Sequence, residues 1–452
     1  MPSKKTTPRR TYALVSLGCP KNLVDSERMA GLLDRDGYEM VAEPDDAETV
    51  VINTCGFIGD ARAESYQAID EMLRLKRRGR VRRVIVAGCL AERDRESLLE
   101  RYPEIDQLIG VFARDEIAVA VGRLDKTPAP DGPTALFRPA PSRPLPDDGR
   151  RRITLPHLAY LKIAEGCNRL CSFCAIPRMR GPYASKPIEQ VVAEAEELAA
   201  DGVRELVLVA QDTTFYGMDL DRRPQLAELL RRLDRVDGLR WIRLMYLYPM
   251  HLTEELIETI AGGQKILPYL DIPLQHISDD VLRRMRRQVN REQTEALLDR
   301  LRQGVKSLAL RTTLLTGFPG ETDQQFEELL EFVRRQRFER LGAFAFSSEP
   351  GTAAADLDQP LPEEVKLSRR DRLMALQQEI AFEWSASQVG KRLDVMIDAP
   401  VPGQRTAFVG RSWADAPEVD GQVYVTGSRL TPGQVVSCEV VAAKQYDLIA
   451  IA

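Results

Sequence analysis

The residues best suited to chemistry lie in one run of eight, Cys167-Asn168-Arg169-Leu170-Cys171-Ser172-Phe173-Cys174, which spaces three cysteines as C-x-x-x-C-x-x-C. The whole chain holds seven cysteines, so three in one run are not expected from chance. A structural zinc site takes four ligands, and no fourth Cys or His lies close by in the sequence. Iron–sulfur clusters also normally take four thiolates. Three thiolates therefore predict a redox cluster with one iron open to a substrate or cofactor; zinc and chance spacing are the alternatives.

The pattern continues on both sides of this run, from Gly166 through Ala175-Ile176-Pro177 to Arg180-Gly181. In this form it resembles the signature of the radical S-adenosylmethionine (SAM) enzymes. Within them it is most similar to the methylthiotransferase family, whose members attach a methylthio group to a tRNA base or a ribosomal protein. The resemblance extends over nearly the whole chain.

The resemblance implies roles for four residues of the run. Cys167, Cys171 and Cys174 would be the catalytic cysteines that hold a 4Fe-4S cluster, and SAM would bind at its open iron. Phe173 would lie beside the adenine of SAM. Reductive cleavage of SAM would then give a 5′-deoxyadenosyl radical, which takes hydrogen from an unactivated carbon.

Length and composition limit the remaining possibilities. At 452 residues the chain is about three domains long by the usual size of a domain. Its net charge of −5 creates no global basic field that would draw it to nucleic acid. No run of about 18 apolar residues occurs, so we expect no membrane partner. The short apolar run before Cys19 does not suit an export signal, so we expect a cytoplasmic protein with reduced thiols.

The first domain, residues 1–126, is predicted to be a doubly wound α/β fold with a parallel sheet. Short apolar runs rich in β-branched residues alternate with helical segments, as in a sheet buried on both faces. These runs are Ala13–Leu17, Val50–Ile52, Val84–Ala87 and Leu108–Phe112.

Three further cysteines, Cys19, Cys55 and Cys89, each lie within three residues after the end of one of the predicted strands. Ligand sites in open α/β sheets lie outside the carboxyl ends of the strands, so these three thiols are expected to meet at one edge. The alternative is that they are small buried residues, because free cysteine packs well in cores. The family resemblance implies that the three hold a second 4Fe-4S cluster.

Three more segments follow the first domain. Residues 127–152 are predicted to be a Pro-rich linker, because so many prolines exclude a helix or a central strand. Residues 153–382 show six further strand–helix units and predict an open, partial radical-SAM (β/α) barrel. Residues 383–452 predict a small β-barrel that resembles the TRAM domain. By the family resemblance, several strand-end segments of the central barrel line the SAM pocket, among them 271–276 and 316–321.

The substrate prediction depends on the last domain and on one strand end. From Glu383 onward there are six Lys or Arg and eight Asp or Glu, a balance of −2. A module that grips tRNA should be basic, so the acidic total favours a basic protein as substrate. The run from Tyr269 to Asp279 resembles the RimO-type enzymes, which implies an aspartate of ribosomal protein S twelve as the target. The expected partners are therefore that protein and a reducing electron donor.

Two other functions stay open at this stage. A tRNA adenosine methylthiotransferase of the MiaB type would share the chemistry and take tRNA as its partner. A non-catalytic ribosome-binding or RNA-binding protein would keep the fold without the reaction.

Overall fold

The computed structural model describes residues 10–126 and 133–452, and its chain divides into two compact units. The first unit takes the described residues up to Ile153 together with Ala164–Arg169 and Cys174–Ala184. The second takes Thr154–Ile163, Leu170–Phe173 and Ser185–Ala452. No helix among the described residues is both long enough and apolar enough to cross a membrane.

The elements up to residue 136 begin and end as follows: strand β1 Thr11–Ser16, helix α1 Pro20–Arg35, β2 Glu39–Met40, β3 Thr49–Thr54, α2 Gly59–Arg77, β4 Arg83–Gly88, α3 Cys89–Arg101, β5 Gln107–Ile109, α4 Ile117–Lys126 and β6 Thr134–Leu136. Two short 3-10 helices cover Pro44–Asp46 and Val111–Glu116.

The predicted doubly wound parallel sheet of the first unit is confirmed. Its six strands lie in the order β2-β1-β3-β4-β5-β6, and every neighbouring pair is parallel. All residues of β3 and β4 are buried. Val50 and Ile52 of β3 pack in one apolar cluster, and Val51 packs in another. The two clusters lie on opposite faces of the sheet, because successive side chains of a strand point to opposite faces.

Two strands of this sheet, β2 and β6, were not predicted. Both are three residues or shorter and lie at the edges, so they carry too little periodicity to be recognised. Strand β6 falls within the range predicted as a Pro-rich linker, and residues 127–132 of that range lie outside the described residues. From Thr134 onward this stretch pairs with β5.

The chain continues with β7 Leu158–Lys162, β8 Ala164–Glu165, α5 Ile176–Arg180, β9 Ala184–Ser185, α6 Ile188–Ala200, β10 Glu205–Val209, α7 Met218–Asp221, α8 Leu226–Leu233, β11 Trp241–Leu244, α9 Glu254–Gly262, β12 Ile266–Asp271, α10 Asp279–Arg284, α11 Arg291–Gly304, β13 Ala309–Thr316, α12 Asp323–Gln336, β14 Arg340–Ala345 and α13 Glu363–Ala386. Short 3-10 helices cover Thr213–Phe215 and Ala353–Asp356.

The second unit contains an open sheet of six parallel strands in the order β14-β13-β12-β11-β10-β7. This confirms the six strand–helix units predicted for the partial barrel.

Helix α12 illustrates how local sequence features begin a helix and set its buried face. At α12, the Thr322 side chain accepts a hydrogen bond from the Gln325 backbone and completes a capping box. Phe326, Leu330 and Val333 then form a buried apolar stripe along the helix.

The small β-barrel predicted for residues 383–452 is confirmed as a closed barrel of five strands. Its strands are β15 Arg392–Pro400, β16 Ala407–Arg411, β17 Val423–Thr426, β18 Val435–Lys444 and β19 Asp447–Ile451. They are arranged β15-β16-β17-β19-β18. Strand β19 was not predicted. It closes the barrel through a parallel pairing with β17, and such a non-local pairing has no local sequence signal.

Buried charges join this terminal barrel to the open sheet within the second unit. Glu205, at the first position of β10, is fully buried and accepts hydrogen bonds from Arg243 Nε at 2.8 Å and Arg411 Nη1 at 2.5 Å. Arg411 belongs to β16 and also donates to both carboxylate oxygens of Asp398, at 2.8 and 2.9 Å. The Nε2 atom of His157 lies 2.8 Å from Asp398. One carboxylate thus bridges a sheet arginine and a barrel arginine.

We expect Glu205→Gln to lower the free energy of unfolding of the second unit by about 3–5 kcal/mol, because two buried guanidinium groups lose their shared counter-charge. Urea unfolding followed by tryptophan fluorescence measures this, since all three tryptophans lie in the second unit. The matched control is Glu254→Gln, which removes an exposed partner of Arg300 and should cost no more than about 1 kcal/mol. Equal losses in the two variants would contradict the bridging role.

Stability should also fall in acid. Burial by itself raises the pKa of Glu205, but the charges and hydrogen bonds of Arg411 and Arg243 outweigh it and hold the pKa below its usual value. At Asp398, hydrogen bonds from His157 and Arg411 likewise outweigh burial and lower the pKa. A carboxylate whose pKa is lower in the folded state than in the unfolded state contributes its full stabilisation above the unfolded pKa, about 4. This stabilisation is lost as the pH falls through the folded pKa. Urea titrations below about pH 5 should show this loss, with a shallower slope for Glu205→Gln.

Candidate functional site

The three strand-end cysteines of the first unit lie where the sequence predicts them. Cys19 caps the start of α1, Cys55 follows the last residue of β3, and Cys89 opens α3 directly after β4. Strands β1, β3 and β4 are parallel neighbours, so their carboxyl ends share one edge of the sheet. The sheet therefore brings three thiols, distant in sequence, to a common edge.

Glycines allow these three loops to approach closely. A Cβ at Gly18, where φ is +87°, would lie 2.7 Å from Cys55 Cβ and 2.9 Å from Cys55 Sγ. A Cβ at Gly56 would lie 2.9 Å from the backbone carbonyl of Cys89. Any side chain at either position would push two of the cysteine loops apart. The two glycines therefore allow the cysteine-bearing loops at this edge to pack closely against one another.

The electrostatics of the thiols reflect this proximity. Burial raises the pKa of the Cys89 thiol to about 12; Arg180 opposes this rise, and the Cys19 and Cys55 sulfurs add to it. Burial also raises the pKa of Cys55. At Cys19, desolvation is outweighed by the cations Lys21 and Arg180, so its pKa lies below that of an ordinary thiol. The neighbouring sulfurs thus raise the pKa values of Cys55 and Cys89, and the Arg180 guanidinium acts to lower the pKa of all three thiols.

Arg180, the last residue of α5, is a buried cation at this edge. Its Nε donates to Cys89 Sγ at 3.3 Å. Its Nη1 donates to both carboxylate oxygens of Glu165, at 3.0 and 3.1 Å, and its Nη2 donates to Asp25 at 2.9 Å and to Asn22 at 3.2 Å. A charged hydrogen bond to a sulfur ligand is one of the means by which proteins tune iron–sulfur clusters.

Sequence reasoning placed Arg180 in the extended motif but gave it no role. A signal existed in α1, whose buried residues include Asn22, Asp25 and Glu27. A helix that packs on a sheet normally buries an apolar stripe, so buried polar groups there indicate a charge partner. The identity of that partner, more than 150 positions away, could not be read from the pattern.

Two of the three motif cysteines also belong to the first unit. The backbone N–H of Cys167 donates to Gly181 at 3.1 Å, and Cys167 Sγ accepts from the Arg169 backbone at 3.4 Å. The segment after Cys174 packs Ala175 and Met179 in the same apolar cluster as Cys89. The strand-end cysteines and both outer motif cysteines are therefore held in one compact unit.

Cys171 and Phe173 belong to the segment Leu170–Phe173 of the second unit. Between them, Ser172 donates from its backbone N–H to Met285 at 3.0 Å and from its hydroxyl to Arg284 at 2.8 Å. The Ser172 carbonyl accepts from Ala354 at 2.8 Å. These bonds fix the segment at the end of α10.

Arg287 lies against the middle cysteine and had not been singled out from the sequence. Its Nη1 is 3.6 Å from Cys171 Sγ, and its Nη2 donates to the Pro273 carbonyl at 2.6 Å. Its guanidinium carbon lies 4.1 Å from the centre of the Tyr248 ring. Phe173 packs on the neighbouring apolar cluster that contains Met285. Cys171 therefore has a cation beside its sulfur, as Cys89 does.

The strand ends expected near the SAM pocket also form a network. His276 is buried, its Nδ1 accepts from the Ser278 backbone at 3.0 Å, and its Nε2 lies 3.5 Å from Glu321 Oε1. The backbone N–H of Gly317 donates to the other Glu321 oxygen. Across the described residues, no set of three or more His, Cys, Asp or Glu side chains is arranged to hold a single metal ion. The soft thiolate donors, the glycine-permitted approach and the nearby arginines all suit iron–sulfur clusters.

Comparisons with known proteins agree with the three-part architecture. The family model described as Radical SAM superfamily matches residues 161–333, and the TRAM domain model matches 389–452. The model described as Uncharacterized protein family UPF0004 matches residues 11–110.

Curated relatives match the chain along its length. A protein of Thermoanaerobacter sp. (strain X514) named Ribosomal protein uS12 methylthiotransferase RimO is 44% identical over 443 residues, which cover 97% of this chain and 99% of the relative. A protein of the same name from Anaeromyxobacter sp. (strain Fw109-5) is 46% identical over 445 residues, with 97% and 92% covered. Among solved structures, the radical SAM methyltransferase TsrM from Kitasatospora setae shares the fold at 17% identity, with a TM-score of 0.55 over 76% of this chain and 74% of that one.

If Cys19, Cys55 and Cys89 hold a 4Fe-4S cluster, as the family resemblance implies, we expect Arg180→Met to lower the reduction potential of that cluster. The guanidinium donates to Cys89 Sγ and stabilises the more negative, reduced state. Loss of one charge-assisted hydrogen bond corresponds to about 60 mV for one electron. Redox titration followed by electron paramagnetic resonance measures the shift in a chain whose motif cysteines are replaced by alanine, so that only this cluster contributes.

Two variants separate tuning from general disruption. Arg114→Met removes another buried arginine that pairs with Asp25 and Asp147 but has no contact with a sulfur. It should destabilise the unit and leave the potential unchanged. Arg180→Lys keeps the charge and should shift the potential less than the methionine variant. A shift of equal size in the Arg114 variant would contradict the assignment.

Proposed function

The chain belongs to the family of the ribosomal protein uS12 methylthiotransferases RimO, and from this premise we propose that it adds a methylthio group to the Cβ of an aspartate in ribosomal protein uS12. The full-length match carries this proposal, because relatives of this name are 44–46% identical along nearly the whole chain. The run Tyr269–Asp279 and the charge balance of −2 in the terminal barrel also favour a basic protein substrate over tRNA.

In this proposal, Cys167, Cys171 and Cys174 hold the 4Fe-4S cluster of the radical-SAM reaction. When bound there, the cluster offers an open iron to SAM and supplies the electron for its reductive cleavage. Arg287 holds a positive charge beside Cys171, and Ser172 fixes the backbone between Cys171 and Phe173. Phe173, already packed on one side, would offer its remaining face to the adenine.

The strand-end cysteines have a different role. Cys19, Cys55 and Cys89 would hold a second 4Fe-4S cluster, which when bound would supply the sulfur chemistry, and Arg180 donates a hydrogen bond to the Cys89 ligand sulfur. A reducing electron donor and a second SAM, as the source of the methyl group, complete the requirements. A ribosomal substrate also implies that the protein acts in the cytoplasm.

The decisive experiment incubates the anaerobically loaded enzyme with reductant, SAM and a sulfide source, with either ribosomal protein uS12 or tRNA. Mass spectrometry should find one methylthio group on an aspartate of the protein and unmodified tRNA. Methylthio-adenosine in the tRNA, with unmodified protein, would replace this function with the tRNA adenosine reaction. Absence of 5′-deoxyadenosine under all conditions would support a non-catalytic protein.

Variants divide the reaction between the two groups of cysteines. Cys171→Ala should abolish both 5′-deoxyadenosine and methylthio product. Cys19→Ala should still allow 5′-deoxyadenosine to form but give no methylthio product. The matched control is Cys438→Ala, which changes a cysteine buried in the core of the terminal barrel and should leave both products. Loss of 5′-deoxyadenosine in the Cys19 variant would contradict this division of roles.

A further inference from the structure

The open sheet of the second unit carries a deeply buried lysine to which no role has yet been given. Lys162 is the last residue of β7, and it is 1% exposed. In the pairing of β7 with β10, Lys162 lies opposite Val209, and Tyr160 lies opposite Val207. Residues paired in this way point to the same face of a sheet, and every second residue of a strand shares that face. Lys162 therefore lies on the same face as Glu205, the first residue of β10.

This face is the inner face of the partial barrel. Helices cover the outside of a (β/α) barrel, whereas Glu205 is contacted by Arg411 of the terminal barrel. Glu205 lies at the amino edge of the sheet, and β10 ends at Val209. With a rise of about 3.3 Å per residue, Lys162 is therefore about 13 Å closer than Glu205 to the carboxyl edge. Cys171 lies at that carboxyl edge, where Arg287 contacts it.

An ammonium group buried this deeply requires negative charge or strong acceptors around it. Two carboxylates of the inner face already have fixed arginine partners. Glu205 pairs with Arg243 at 2.8 Å, and Asp271 pairs with Arg311 at 2.8 Å. An ammonium has three N–H donors, so Lys162 can hold an oxygen of a bound molecule in addition to its contacts within the protein.

Other cations of this unit serve to hold its loops and helices. Arg284 donates to the carbonyls of Pro319 and Gly320, at 2.6 and 3.0 Å. Lys186 is also fully buried, and it donates to both carboxylate oxygens of Glu194 at 2.7 Å. Glu194 belongs to α6, so Lys186 is directed at a helix on the outside of the sheet. Lys162 differs from these cations because it lies on the inner face, toward the carboxyl edge.

We infer that Lys162 binds the side-chain carboxylate of the aspartate that is modified, an inference that rests on the proposed function. The C–H bond to be broken is on Cβ, which is bonded directly to the carboxylate carbon. A charge-assisted hydrogen bond to the carboxylate therefore holds the reacting carbon one bond away from a fixed group. The ammonium is a compact charge on a flexible stem, so it can follow either carboxylate oxygen.

This contact also gives a physical basis for the choice of substrate. An asparagine side chain has nearly the same shape as aspartate but offers a neutral oxygen, so it would leave the buried ammonium without a counter-charge. A tRNA base carries no carboxylate and would leave the same charge unmatched. Lys162 therefore selects an acidic residue of a protein over both.

The test measures binding by fluorescence anisotropy under anaerobic conditions, with the full-length, cluster-loaded protein and labelled ribosomal protein uS12. The uS12 is either native or carries asparagine in place of the target aspartate. The wild-type protein should bind the native form at least about tenfold more tightly, because a hydrogen bond between two charged groups is stronger than one to a neutral amide. Lys162→Met should weaken binding of native uS12 by a similar factor and should bind the two forms equally.

The matched control is Lys186→Met, which removes another fully buried lysine of the second unit together with its ion pair. This variant should keep the preference for native uS12, because a loss of stability lowers the binding of both forms alike. Loss of the preference in both variants would overturn the inference, and so would a preference that survives in Lys162→Met. Equal binding of the two forms by the wild-type protein would also overturn it, and that result does not depend on the folding of a variant. A wild-type protein that neither binds nor modifies uS12 would reject the proposed function together with this inference.

Discussion

The arrangement of the first unit depends on one buried charge. A guanidinium in a protein interior is costly unless carboxylates and other acceptors surround it, and Arg180 meets this condition with Glu165 and Asp25. Glu165 lies two residues before Cys167, and Asp25 lies on the helix that Cys19 caps. Satisfying one cation therefore fixes the beginning of the radical-SAM motif against the strand-end cysteines. The Nε donor of that cation is directed at Cys89 Sγ, so the same constraint places a charged hydrogen-bond donor beside this sulfur.

The same rule of sheet geometry operates in both units. Parallel strands end together, and residues that follow them are brought to one edge whatever their distance in sequence. In the first unit this edge holds Cys19, Cys55 and Cys89. In the second unit it holds the network of His276 and Glu321 and the contacts of Arg287 with Cys171. Each cysteine edge has an arginine beside a sulfur, so a positive charge lies next to a thiol in both units.

The opposite edge of the second sheet serves another purpose. There Glu205 ties Arg243 to Arg411 and so holds the terminal barrel at the amino ends of the strands. This attachment leaves a basic, tryptophan-lined cavity between sheet and barrel. The contacts that attach the terminal barrel lie at the amino edge of the sheet, and Cys171 lies at the carboxyl edge. The two regions are thus separated by the length of a strand, so a ligand bound at one edge need not obstruct the other.

The sequence by itself determined the elements whose signals are local: the three-cysteine run, the strands before Cys19, Cys55 and Cys89, and the six strand–helix units. Periodicity and turn chemistry act over a few residues, so these follow from the pattern. Tertiary structure alone decided what meets across long separations. The pairing of β19 with β17 and the contacts of Arg180 with Asp25 and Cys89 each join distant positions. A local pattern carries no record of such partners, because burial and charge compensation are properties of the folded chain.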